Sequence, residues 1–140
     1  MAHTVDSELN IEAAVEKLPE VQSYVEERLE SVDCPLKTMM QIGIAVEEIF
    51  VNIANYAYPN AKGMASVRVE LTEDPRAMTI TFTDQGIPYD PLAKEDPDVT
   101  LSAQEREVGG LGIFMTKKVM DEMRYEYKDN SNILTLIKKL

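Results

Sequence analysis

The sequence predicts an α/β (α+β) two-layer sandwich, in which helices cover one face of a mainly antiparallel sheet. Three observations lead there. Two segments near the N-terminus carry apolar residues at helical spacing. Two pairs of alternating segments flank short turns, and a glycine-led helical segment separates the pairs. The element order read from the chain is β-α-α-ββ-loop-α-ββ.

"TVDSELNI" alternates Val5, Ser7 and Leu9 with polar neighbours and reads as a short first strand. "LPEVQSYVEERLESV" places Leu18, Val21, Val25, Leu29 and Val32 on one helical face, with Pro19 in the first turn. After "DCP" a second helix runs roughly from Leu36 to Tyr58, with Pro59 and the turn "PNAKG" ending it. Its expected apolar stripe is Ile42, Ala45, Ile49, Ile53 and Tyr56. "ASVRVEL" and "AMTITFT" alternate on either side of "TEDPR", an antiparallel hairpin. The connection from Gln85 to Val108, about 24 residues with no sustained apolar period, is long enough to suggest a lid or binding loop. "GGLGIFMTKKVMDEM" then opens a helix whose expected core side is Ile113, Met120 and Met123. "RYEYK" and "NILTLIKKL" close the chain as a second hairpin across "DNSN".

At 140 residues the chain is expected to form one domain, residues 1–140, with an apolar fraction (44%) ordinary for a soluble protein. No apolar run is long enough to span a bilayer, and no basic-then-apolar leader opens the chain, so a cytoplasmic location is expected. The single Cys34 excludes an internal disulfide, and His3 is assigned no role. A net charge of −11 repels phosphate backbones, which argues against direct nucleic-acid binding. Any anionic ligand must therefore be held by backbone amides, a metal ion or a few placed cations.

"AVEEIFVNIANYAYP" sets polar groups into an apolar helix. Glu48 and Asn52 are four apart and share a face, with Asn55 seven on from Glu48 near the same line. A solvated amphipathic face explains this pattern, and so does a pocket wall. An asparagine carbonyl suits Mg2+, and a carboxylate one turn away can take a proton from an attacking hydroxyl. "TFTDQGIP" ends a strand on Asp84, with Gly86 two residues later. Asp and Gly make ordinary turns, but a carboxylate there can also accept from an exocyclic amine while the glycine lets a base approach. Gly109, Gly110 and Gly112 lie where a helix starts, and free amides at a helix N-terminus bind anions. Arg106 is the better cationic candidate beside them, because Lys117 and Lys118 sit a turn or more into the helix.

Glu48 and Asn52, then Asp84-x-Gly86, then a long loop and helix-opening glycines: this order resembles the GHKL ATPase and kinase superfamily, most closely the bacterial anti-sigma factor serine/threonine kinases. The resemblance covers nearly the whole chain and is strongest from Ile42 to Asp121. It implies a Bergerat ATP-binding fold with ATP and Mg2+ as cofactors. Glu48 then matches the general base and Asn52 the Mg2+ ligand, with Asp84 and Gly86 at the adenine. Gly109, Gly110, Leu111 and Gly112 offer phosphate-binding amides, residues 85–108 form the ATP lid, and Thr135 resembles the family's threonine near the base. Asn55 falls where nucleotide or solvent is within reach. Several relatives have histidine at Tyr56, and their lid arginine aligns with Val108, two residues from Arg106. The implied partners are an anti-anti-sigma protein and a sigma factor, with a homodimer left open. The implied activity is phosphorylation of the former, and the alternative is an ATP-binding docking module without phosphotransfer.

Overall fold

Alternation along the strands fixes which side of the sheet is buried. In the computed structural model, which describes residues 4–5, 8–93 and 110–140, the inner face of β3 (Met64–Glu73) carries Ala65, Val67, Val69 and Leu71. β4 (Arg76–Asp84) adds Met78, Ile80, Phe82 and Asp84 to the same side. β6 (Ser131–Lys139) contributes Asn132, Leu134 and Leu136, and its outer edge is covered by β5 (Glu122–Lys128). At the other edge of β3, β1 (Thr4–Val5) and β2 (Leu9–Glu12) pair in succession with different stretches of that strand. The expected first strand is thus two short pieces on one edge. The sheet order is β1-β3-β4-β6-β5, with β2 also on β3, and every pairing is antiparallel.

Three helices fill the inner face. α1 (Leu18–Glu30) has Pro19 in its first turn, where its missing N–H has no helical partner to lose. α2 (Leu36–Tyr56) buries Ile42, Ala45, Val46, Ile49 and Phe50. The Gln22 side chain donates to the Gly43 carbonyl at 3.1 Å and ties the two helices together. Tyr56, expected in the apolar stripe, is instead 50% exposed. α3 (Gly110–Val119) is shorter than its apolar spacing suggests. Met123 lies not on this helix but in β5, because the Asp121 N–H bonds the Ile137 carbonyl and the chain joins the sheet there. The Lys138 ammonium donates to the Val119 carbonyl at 2.6 Å and satisfies the frayed helix end. Asp129 and Asn130 both take positive φ, 53° and 61°, as a two-residue hairpin turn of the type I′ kind requires. No helix among the described residues is long and apolar enough to cross a membrane.

Phe50, Phe82, Leu29, Ile42, Ile49 and Met78 are among the largest fully buried apolar side chains between helices and sheet. α2 crosses the middle of this core, so its C-terminal half is held against the end of β4 where Asp84 emerges.

Candidate functional site

Even spacing along β4 puts Asp84 on the inner face after Phe82, and it is only 5% exposed. Its Oδ1 accepts from the Gly86 N–H at 2.9 Å and from the Asn132 side-chain amide at 2.9 Å. Oδ2 has no hydrogen-bond partner among the described residues. Gly86 is required by proximity: a Cβ there would lie 2.2 Å from the Ala57 carbonyl oxygen. That same carbonyl accepts the Ile87 N–H at 2.9 Å, so the exit of β4 is stitched to the end of α2. Nearby, the Tyr58 hydroxyl donates to the Met64 carbonyl at 2.7 Å and accepts the Gln85 N–H at 2.8 Å.

A pocket opens beside Asp84, with Asn52 and Tyr56 of α2 and the Ala57 that caps it on one side and Tyr89, Tyr125 and Asn132 on the other. Its remaining walls are mostly aliphatic. The Tyr56 and Tyr89 rings face each other with centroids 6.5 Å apart, tilted by 40°. Asn132, 6% exposed, is a residue that sequence reasoning missed. The signal was present as parity: Asn132, Leu134 and Leu136 share one side of β6, so a polar residue stood on a buried face.

At the other end of the site, the Asn52 Nδ2 donates to Glu48 Oε2 at 3.0 Å. The amide nitrogen is thereby engaged, which leaves the carbonyl oxygen to point elsewhere as a hard acceptor. Burial pushes the Glu48 carboxyl above its ordinary value; the Asn52 hydrogen bond opposes that rise and the Glu47 charge adds to it. α3 begins directly over this carboxylate. A Cβ on Gly112 would sit 2.0 Å from Glu48 Oε1, so only glycine lets the helix approach this closely. Gly110, Leu111 and Gly112 form the opening of α3. Glu48, Asn52 and the α3 start thus form one cluster, joined through Asn52 to the pocket that Asp84 lines.

Two expected members fall elsewhere. Asn55 is exposed and lines no part of the pocket. Thr135, expected near the base, points to the opposite face of the sheet, between Thr81 and Arg124 of the neighbouring strands. An odd-numbered residue on β6 cannot share a face with Asn132. Arg106, Gly109, Val108 and most of the expected lid, residues 94–109, lie outside the described residues.

The donor set fits a nucleotide. An unpartnered carboxylate oxygen in an aliphatic pocket suits an aromatic amine, and a helix start with glycines suits phosphates. Among the described residues no group of three His, Cys, Asp or Glu side chains could hold a metal by itself. A cation here would take Asn52 together with ligand oxygens and water, as Mg2+ commonly does.

This fold and this arrangement define a histidine kinase-like ATPase domain. The model of that family matches residues 11–138, and the chain belongs to it. Among its relatives, the serine/threonine-protein kinase BtrW of Bordetella bronchiseptica is 26% identical over 93 residues, which are 66% of this chain and 65% of that protein. The serine-protein kinase RsbW of Halalkalibacterium halodurans is 32% identical over 102 residues, 70% of this chain and 60% of that one. The matched region therefore spans less than two thirds of either relative. The crystal structure of the RsbU and RsbW domains of Rv1364c from Mycobacterium tuberculosis superposes with a TM-score of 0.67 at 17% identity, covering 96% of this chain and 33% of that one. At that identity the likeness speaks for the fold.

Proposed function

We propose that the chain binds ATP with Mg2+ and acts as a serine/threonine protein kinase on a small anti-anti-sigma protein, holding a sigma factor when that partner is absent. The observation that carries the reading is the reach of α2. One helix presents Glu48 and Asn52 to the start of α3 and, two turns later, closes against Gly86 beside Asp84.

In this reading Asp84 Oδ2 accepts the exocyclic amine of adenine, and the aliphatic wall of the pocket packs on the ring. The amides of Gly110, Leu111 and Gly112 hold phosphate oxygens, and the Asn52 carbonyl takes a place in the Mg2+ shell. Bound ATP supplies the transferable phosphoryl group, whose charge Mg2+ offsets. Glu48 accepts the proton of the attacking serine or threonine hydroxyl. Its raised affinity for a proton suits a base, because a carboxyl nearer to neutrality is a better acceptor. Residues 85–108 act as the lid, with Arg106 as the cation that meets charge developing on the phosphates.

Calorimetric titration with ATP in Mg2+, with GTP and Asp84→Asn as controls, tests the nucleotide site. Saturable binding that disappears with GTP and with the substitution is expected; no binding at millimolar ATP would overturn the proposal. Glu48→Gln tests the chemistry. It should keep ATP and lose phosphate transfer to the partner, whereas a docking module would retain its partner-dependent function.

A further inference from the structure

We propose that Asn132 is a positioning residue that makes the site selective for an amino-purine over an oxo-purine, by holding the plane of the Asp84 carboxylate so that its unpartnered oxygen stays aimed at the base. The inference rests on the nucleotide reading above and deepens it.

All four hydrogen-bonding capacities of this side chain are engaged. Nδ2 donates to Asp84 Oδ1 at 2.9 Å and to the Ile87 carbonyl at 2.9 Å. Oδ1 accepts the Tyr89 N–H at 3.1 Å and the Tyr125 hydroxyl. The orientation of the amide is forced. A backbone N–H can only donate, so Tyr89 must face the oxygen; a backbone carbonyl can only accept, so Ile87 must face the nitrogen. The amide cannot turn over without breaking both.

The consequence falls on Asp84. Its Oδ1 receives two donors, one from Gly86 and one from Asn132, and both are themselves anchored. The carboxylate is therefore pinned about its terminal torsion, with Oδ2 left as a pure acceptor at the pocket. A pure acceptor in a nearly buried position is paired by an N–H donor and left unpaired against a C=O group. Adenine offers the donor at that ring position and guanine the carbonyl. Without the Asn132 amide, Oδ1 would take water instead. Water can present either a donor or an acceptor, and the carboxylate could turn. Selectivity would then fall more than affinity for the ring as a whole.

Asn132 bonds Asp84, Ile87, Tyr89 and Tyr125 and, among the described residues, none of Glu48, Asn52 or α3, so no hydrogen bond links it to the phosphate end. Its influence should be confined to the 6-position of the base. That confinement separates a positioning role from a merely structural one.

The test compares ATP with purine riboside 5′-triphosphate, the analogue that lacks the amino group, and repeats the comparison with inosine 5′-triphosphate, which carries an oxo group there. Affinities are measured by calorimetry on the full chain in Mg2+. Wild-type protein should prefer ATP by roughly ten- to a hundred-fold, as a hydrogen bond to a charged acceptor implies. Asn132→Ala should bring that ratio within about threefold of unity while the analogue's own affinity changes little. Tyr125→Phe, which removes only the hydroxyl donor to Asn132, should lower the ratio part of the way and keeps the test open if Asn132→Ala does not fold. Equal losses for ATP and the analogue in these variants, or an unchanged ratio, would overturn the inference. Asp84→Ala distinguishes this failure from failure of the parent reading. A wild-type preference that vanishes in Asp84→Ala but survives in Asn132→Ala and Tyr125→Phe sinks the role of Asn132 alone. No wild-type preference, or one indifferent to Asp84→Ala, sinks both.

Discussion

Gly112→Ala should disable phosphate transfer while leaving the protein as stable as before. The added methyl would stand 2.0 Å from Glu48 Oε1, 2.2 Å from Cδ and 2.5 Å from Oε2, where ordinary contact begins at 3.4 Å. The difference, 3.4 − 2.0 = 1.4 Å, is the retreat demanded of the carboxylate or of α3. The carboxylate is the softer of the two, since it ends a flexible side chain. Moving it breaks the 3.0 Å bond from Asn52, a loss of about 1–2 kcal/mol for a charged but half-exposed acceptor. Replacing glycine by alanine in a helix returns up to about 1 kcal/mol. The two nearly cancel, so the denaturation midpoint should stay within about 1 kcal/mol of wild type. Catalysis has no such offset. A base displaced by more than about 1 Å is expected to lower transfer by about a hundred-fold. The N–H of residue 112, which the proposed function assigns to phosphate, is retained, so ATP affinity should change only a few-fold. The assay pairs calorimetric ATP binding and thermal denaturation with transfer of labelled phosphate to the partner protein. Wild-type transfer rates in a folded Gly112→Ala protein would refute the placement of Glu48 at the reacting hydroxyl.

Three further outcomes follow from the same geometry. Gly86→Ala meets backbone rather than side chain, 2.2 Å from the Ala57 carbonyl oxygen, so it should destabilise the protein by about 1–3 kcal/mol in urea denaturation and weaken ATP binding as the Asp84 turn shifts. Glu48 holds its proton to a higher pH in the folded protein than its ordinary value of 4.5, so folding loses stability as pH rises from that value through the raised one. Glu48→Gln cannot ionise, and its denaturation midpoint should therefore gain on wild type at pH 7 relative to pH 4; the wild-type transfer rate should rise with pH along a profile displaced above that of an ordinary glutamate. Phe50→Ala empties a fully buried position and should lower stability by about 3–5 kcal/mol, a fall in Tm of roughly 10–15 °C for a chain of this length.

Periodicity made most of the fold legible, and its failures share a cause. β3, β4 and β6 alternate cleanly, so their pairing and the buried side of the sheet follow from spacing alone. Met120 and Met123 satisfy helical spacing equally well, but Met123 also satisfies the parity of a strand that carries Tyr125. Pairing with Ile137 and its neighbours decides for the strand, and that pairing is not a local property. Thr135 was assigned by resemblance of residue type, which carries no information about which side of the sheet it occupies. Parity does, and it selects Asn132. For Asn55 the sequence leaves nucleotide and solvent both open, since its line along α2 is continuous with Glu48; the structure leaves it exposed and outside the pocket lining. For Asp84 the two readings of the sequence coexist. One oxygen builds the turn with Gly86 and the other has no partner among the described residues, so the turn and the proposed ligand contact fall on the same residue.

The length of α2 between the two ends of the site limits what can fill it. From Glu48 to Ala57 is nine residues, which at 1.5 Å per residue is about 13 Å of helix. A ligand that engages Asp84 at one end therefore needs a charged extension to reach Glu48 and Gly112 at the other. A nucleoside offers only the first contact. Adenosine should then compete for the Asp84 pocket with an affinity indifferent to Gly112→Ala, whereas ATP should register any change at that helix start. Competition titrations of adenosine against ATP, run on wild type and on Gly112→Ala, measure both terms. If the substitution weakens adenosine as much as it weakens ATP, the base lies at the α3 end, and the orientation assigned to the nucleotide is reversed.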